Sequence, residues 1–233
     1  MSALFRSTKR INERYQPFAT LLSLALLPLS GFATDIYVPS LPYMADALHV
    51  SSLQIQVTIT LFLVSYGVSQ LFIGSVLDSF GRYRIGLASL VIFSLASLVI
   101  GLTHSIHLIY LMRIIQGVTV GAAVAGKRAY FVDLFTGGKL KHYLSLFSII
   151  WSTGPIVAPF VGGWMQTAFG WEMNFYLLAL VGAVFAVLEF LFSGETLPQP
   201  TAFRLRRVVG VYAGMLKTGE FVLGILLLGL AYS

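Results

Sequence analysis

Apolar residues come along the chain in blocks of about 20, the length a helix needs to cross the hydrocarbon core of a bilayer, with short polar stretches between them. Six full blocks are read as spans, at about Pro17–Val38, Leu53–Leu77, Ile85–Thr103, Ile106–Phe131, Tyr143–Ala168 and Glu172–Phe192. The first is expected to stop at Pro39 and Pro42. A polar, basic segment follows span six, and then GEFVLGILLLGLAYS opens a seventh apolar run. That run has about 14 residues, too few to span at ~1.5 Å per residue. The predicted fold class is an all-α integral membrane protein. Its parts are a cytoplasmic tail (1–16), a six-helix transmembrane domain (17–192), a cytoplasmic loop (193–218) and the truncated start of a seventh helix (219–233).

Composition supports this reading. The 233 residues are 57% hydrophobic and 10% charged, against about a quarter charged in a soluble domain. The chain has no cysteine, which excludes a disulfide framework or a thiolate metal site. His104 and His107 are spaced i,i+3 in a short loop, too little to predict a metal, and no cofactor is predicted. The basic N-terminus leads into span one without a small-residue cleavage site followed by a soluble chain, so it reads as an uncleaved first span.

The net charge of +6 does not point to nucleic acid, because no soluble basic domain exists to carry such binding. All fifteen lysines and arginines except Arg113 fall in the tail, in the loop after span two, at the end of span four and in the loop after it, or after span six. The loops at the other ends, near 39–52, 104–107 and 169–171, hold none. Basic loops stay in the cytoplasm, so the predicted topology is a multi-pass protein with a cytoplasmic N-terminus.

One charged knot interrupts the apolar pattern: GSVLDSFGRYR, Gly74–Arg84. It reads as the end of span two plus a tight turn, which makes spans two and three an antiparallel hairpin. Gly81 suits a helix C-terminus, where only glycine enters the left-handed region cheaply. Gly74 could let another helix approach closely. Asp78 has Arg82 and Arg84 within reach. On spacing alone the segment is equally a plain topogenic loop.

Gly74, Asp78, Gly81, Arg82 and Arg84 resemble the cytoplasmic loop motif G-x-x-x-D-x-x-G-R-x-[RK] of the major facilitator superfamily. Ser79 departs from the basic residue most members place after the aspartate, and is similar to the bicyclomycin/chloramphenicol-resistance (Bcr/CflA) branch. Arg113, Gln116 and Gly117 in YLMRIIQGVTVGAA resemble the fourth-span R-x-x-Q-G motif. Gly154, Pro155, Gly162 and Gly163 in WSTGPIVAPFVGG resemble the fifth-span antiporter motif, with Pro159 added and six residues in the usual two-residue gap before the glycine pair. ATDIYVPSLP and GETLP resemble the ends of spans one and six in the same branch. The resemblance implies the N-terminal six-helix half of a twelve-span carrier, built as two inverted three-helix repeats. In the family the loop motif locks the outward-facing state, with Asp78 facing the N-terminal end of a helix in the second half.

Charges inside spans are the remaining signal. An arginine at a helix centre costs roughly 2.5–3.5 kcal/mol on insertion scales, so Arg113 should face a cavity or a partner. It lies roughly 10 Å from the periplasmic end of span four, and Asp35 roughly 5 Å from that end of span one. These depths allow contact. Asp35 either caps or snorkels near the interface, or it takes up a proton or faces a cationic substrate. Glu189, about one turn from the cytoplasmic end of span six, reads as a snorkelling or structurally paired acid rather than a proton carrier. Lys127 and Arg128 read as inside-positive anchors, and Trp164 and Trp171 as interfacial belt residues. Gly117, Gly121 and Ala125 form a small-residue stripe at four-residue spacing. Gly154–Pro155 is expected to interrupt span five. Tyr37, Phe62, Tyr66 and Trp151 could line a substrate cavity or face lipid.

The resemblance implies proton-coupled export of a drug-like, amphipathic small molecule across a bacterial inner membrane, with Asp35 and Arg113 as coupling residues. The implied partners are substrate, protons, lipid and the missing C-terminal half. Transport of a nucleoside, sugar or other polar metabolite, or a non-transporting fragment, are the alternatives. No G-x-x-x-x-G-K-[ST] loop is present, which argues against ATP-driven transport. No histidine cluster, acidic pair or nucleophile–base set within one membrane layer supports an enzyme.

Overall fold

The computed structural model describes residues 10–197, 199–201, 203 and 205–231. Arg6, Lys9, Arg204 and Pro198 of the GETLP segment lie outside the described residues. The chain divides into two compact units between Pro200 and Thr201. In the first, six helical segments are long and apolar enough to cross a membrane: Glu13–Ala47, Ser52–Phe80, Arg82–Leu102, Ile106–Leu134, Gly137–Phe169 and Glu172–Phe192, spans one to six.

Span one departs from expectation. It comprises the helical pieces Gln16–Ala25, Leu29–Asp35 and Leu41–Ala47, with a 3-10 turn at Val38–Ser40. Pro39 and Pro42 do not end it. Each falls in the first turn of a helical piece, where the missing N–H would have had no partner anyway.

Span two starts with a reciprocal cap, Ser51 Oγ accepting from Gln54 N and Gln54 Oε1 accepting from Ser51 N. It ends at Phe80, and span three begins at Arg82. The whole turn is thus one residue, Gly81, at φ 97°, a conformation that side chains beyond glycine resist. Span five runs unbroken through Pro155 and Pro159, so the expected interruption does not occur. Membrane helices accommodate proline when neighbouring elements cover the freed backbone.

Packing between spans comes in matched pairs. Span two lies along span four, and the middle of span one lies against span five; span three packs on both four and six, and the start of span one touches six. This is the pattern expected when spans one to three and four to six are equivalent repeats. Glycine permits both of the first two crossings. A Cβ on Gly117 would stand 2.5 Å from Phe62 O of span two. A Cβ on Gly154 would stand 2.6 Å from Pro28 O of span one, and Gly31 faces Pro155 just as closely. Leu26, Ile36, Phe93, Ile109 and Phe175 fill the centre of the bundle. Leu53, Leu63, Leu95, Phe160, Leu180 and Phe190 are exposed on its outside, the surface that a lipid-facing bundle requires.

The described residues of the second unit form two helices, Leu205–Leu216 and Gly219–Ala231. They meet at a bend of 90°. Leu205–Leu216, read above as part of the connecting loop, is helical.

Candidate functional site

Span four carries Arg113 to the centre of the bundle, where it is fully buried. No carboxylate pairs with it among the described residues. Its Nη1 donates to Ala33 O (3.0 Å) and to Gln116 Oε1 (2.8 Å), and its Nε donates to Thr58 O (3.4 Å). The guanidinium lies between the rings of Tyr37 and Phe62, 4.5 and 4.4 Å from their centroids, so aromatic faces and carbonyl dipoles stabilise the charge. Nη2 has no hydrogen-bond partner among the described residues.

The surrounding shell ties four spans together. Gln116 Nε2 donates to Ser97 Oγ of span three (2.7 Å), which donates to Phe93 O. The Tyr37 hydroxyl meets Thr58 Oγ1 of span two at 2.9 Å, and Thr58 donates to Ile55 O. Thr58 and Ser97 were not singled out in the sequence. Their signal is only a hydroxyl inside an apolar span, which many packing positions share.

Asp35 is the last residue of the helical piece Leu29–Asp35 and is half-buried. Its carboxylate forms no ion pair with Arg113. Tyr37 and Phe62 belong to the shell around Arg113 and are buried. Tyr66 and Trp151 instead face an open groove of about 500 Å³ between spans two, four and five. Phe147, Gln70, Gly74 and Arg128 also line it. Trp151 Nε1 donates to Ser30 Oγ of span one, which fixes the indole against the groove wall. Among the described residues, nothing lies within 4 Å of a Cβ built on Gly74, so its small size is not used by a helix of this unit.

The charged knot is assembled at the basic end of the bundle. Arg82 Nη2 pairs with Asp78 Oδ1 at 3.1 Å, one turn earlier. Its Nη1 pairs with Asp133 at the end of span four and donates to Ala129 O at 2.9 Å. Thr196 Oγ1 donates to Asp133 Oδ2. Arg84 is half-buried beside this cluster in sequence.

Glu195, from GETLP, takes a role that its sequence position did not disclose. It is 1% exposed, and it accepts from Arg82 N (3.1 Å), Tyr83 N (3.3 Å) and Leu197 N (3.0 Å). It therefore caps the N-terminus of span three from beyond span six. Gly194 sits on the backbone of Arg10, and Ile11 N donates to Glu195 O. An acid in a basic post-span segment is the only sequence hint of this cap.

Two expectations need correction. Lys127 is not an anchor reaching to the membrane surface; it is buried and ion-paired with Glu189 of span six. With little of its side chain exposed, it takes the acid on the facing helix as its partner. Glu189 is accordingly a structural pair. Trp171 is buried and packs edge-on against Phe175, because the chain turns inward after Gly170 at φ 95°. Trp164 is exposed as expected. In the fifth-span segment, Gly162 lies against Ile36 O, whereas Gly163 meets only Pro39 at 3.8 Å and Pro159 is half-buried.

Residues 24–233 match the Major Facilitator Superfamily. The chain is 34% identical over 197 residues to the "Bicyclomycin resistance protein homolog" of Haemophilus influenzae, covering 84% of this chain and 50% of that protein. It is 33% identical over 174 residues to "Multidrug resistance protein D" of Escherichia coli (74% and 44%). It is 28% identical over 211 residues to the "Chloramphenicol resistance protein" of Pseudomonas aeruginosa (88% and 48%). The chain thus spans about half the length of these curated relatives. Its fold is similar to that of the human organic anion transporter MFSD10, with a TM-score of 0.61 at 18% identity over 81% of this chain and 51% of that one. A six-span bundle with a buried span-four arginine, a one-glycine turn joining spans two and three, and a sequence match across most of its length all agree: the chain belongs to the major facilitator superfamily.

Proposed function

We propose that this chain is the N-terminal half of a proton-coupled exporter of drug-like small molecules in the bacterial inner membrane, with its basic end in the cytoplasm. Residues 17–192 are the transmembrane half, 193–218 the connection and 219–233 the start of span seven. The observation that carries this reading is the open groove of about 500 Å³ walled by Tyr66, Phe147 and Trp151. Its volume falls within the range of small-molecule sites, and such sites are mostly apolar with few polar groups. The second half closes this groove, so the substrate binds between the halves. The names of the relatives, bicyclomycin and chloramphenicol resistance, suggest the cargo class.

Asp35 is the proposed proton carrier, and Arg113 the group that biases its charge. Asp35 is unpaired with Arg113, while Arg113 keeps Nη2 open. A change in conformation that brings the two together favours the carboxylate; one that separates them favours proton uptake. Asp78, with Gly74, Gly81, Arg82 and Arg84, forms the lock at the cytoplasmic face. The test is chloramphenicol accumulation in everted vesicles carrying the complete carrier, with and without a proton gradient. Gradient-dependent, saturable uptake is expected; uptake that ignores collapse of the gradient would refute proton coupling. The six-helix half by itself is expected not to drive transport.

A further inference from the structure

The second unit carries a pattern that the six-span bundle does not use. Along Leu205–Leu216 each residue turns the helix by about 100°. Counted this way, Arg206, Arg207, Gly210 and Gly214, with Lys217 just beyond the helix, share one arc of about 100°. Every other position from Leu205 to Leu216 is apolar or aromatic. Val209, Val211 and Leu216, on that wider face, are 53%, 56% and 61% exposed. Lys217 is exposed too, and its N–H donates to Gly214 O, which carries the turn one residue past the helix. The following helix, Gly219–Ala231, has no charge after Glu220 and meets the first at 90°.

We propose that Leu205–Leu216 is an interfacial helix that binds anionic phospholipid headgroups; this rests on the reading of residues 193–218 as the connection on the basic, cytoplasmic side. A basic arc opposite a wide apolar face is the pattern of helices that lie in the plane of a bilayer surface. The right angle has the same meaning: an in-plane helix leads into one directed along the membrane normal. Leu205–Leu216 reaches about 18 Å, too short to cross by itself, and its basic residues oppose burial in hydrocarbon. A helix this short, with two glycines, is weak in water, and a surface that takes up its apolar face supplies the missing stability. Charge selects the occupant. Between Glu195 and Glu220 the sequence has no acid but holds Arg204, Arg206, Arg207 and Lys217. Lipid phosphates answer that charge, each basic residue favouring an anionic surface about fivefold. An acidic protein would meet the basic arc and leave the wider apolar face uncovered, whereas a bilayer surface takes both.

Spin labels on single cysteines test this, because the chain has no cysteine of its own. Val209→Cys reports the apolar face and Gly214→Cys the basic arc, where a Cβ would meet nothing within 4 Å. The 233-residue chain is placed in nanodiscs of phosphatidylglycerol with phosphatidylcholine, or of phosphatidylcholine alone. Access to oxygen, which enters the bilayer, is compared with access to a nickel chelate, which stays in water. In the mixed discs the label at 209 is expected to meet oxygen and be shielded from nickel, and the label at 214 to show the reverse. In phosphatidylcholine alone the label at 209 is expected to gain nickel access. Replacing Arg206, Arg207 and Lys217 together by Gln is expected to give that same gain in the mixed discs. Equal nickel access at 209 in both lipids would overturn the proposal, leaving a solvated helix. Oxygen access at both positions would make the helix part of a broken span, and shielding of both from both reagents would make protein its cover; either result overturns the proposal. So would unchanged shielding at 209 after the three replacements. The readout uses neither substrate nor proton, so it holds or fails separately from the exporter reading.

Discussion

Arg113 Nη1 donates to the carbonyl of Ala33 at 3.0 Å, two residues before Asp35 in the same helical piece. The buried charge of span four is thus held by the backbone of span one and not by its nearby carboxylate. Neutralising Asp35 would leave this contact in place. The two residues are linked through a helix while their charges stay apart.

Arg113→Lys keeps the charge and loses the fork. A lysine cannot reach Ala33 O, Thr58 O and Gln116 Oε1 together, nor lie flat between Tyr37 and Phe62. Loss of one charged hydrogen bond alone costs about 1.5–3 kcal/mol. The variant is expected to unfold at clearly lower temperature in detergent. Wild-type thermal stability would show that the charge matters and the fork does not.

The two adjacent glycines of the fifth-span motif should behave differently. A Cβ at Gly162 would stand 1.5 Å from Ile36 O, whereas at Gly163 the nearest atom is 3.8 Å away. Gly162→Ala must therefore push spans one and five apart. Gly163→Ala should be neutral, or stabilising by up to about 1 kcal/mol through helix propensity. Thermal unfolding of the two variants side by side checks this, and equal effects would contradict the crossing described.

Spans two to six were legible as blocks of apolar residues, and a tight turn at Gly81 was legible, although the spans were read as ending at Leu77 and starting at Ile85 where the helices in fact run to Phe80 and from Arg82. Each depends on local composition or backbone freedom, which sequence shows directly. Partners across the bundle were not legible. Lys127 looked like an interfacial anchor because its distance from the helix end is local, whereas Glu189, which pairs with it, is 62 positions later. Glu195 reaches back to span three by the same kind of long-range contact. Asp35 and Arg113 stood out as charges within spans, but their depths could not show that backbone and aromatic rings, not a carboxylate, hold the arginine.

The charged knot separates into a surface part and a buried part. Asp78 is 45% exposed at its side chain, so its pair with Arg82 contributes little to stability. Asp78→Asn should leave Tm nearly unchanged yet impair transport by the complete carrier. Glu195→Gln replaces a buried charged cap on two N–H groups of span three and should cost about 0.5–2 kcal/mol. Scanning calorimetry and vesicle transport on both variants separate the roles. Normal transport by Asp78→Asn would return the knot to a topogenic turn.

Proton coupling through Asp35 is tested most directly by proton release. Purified complete carrier in weakly buffered detergent solution is mixed with substrate, and the pH change is followed for wild type and Asp35→Asn. Wild type is expected to release protons as substrate binds, and Asp35→Asn to bind substrate with no release, its fold intact because the contact between Arg113 and Ala33 does not involve the carboxylate. Unchanged release from Asp35→Asn would contradict the assignment and place the proton on another carboxylate.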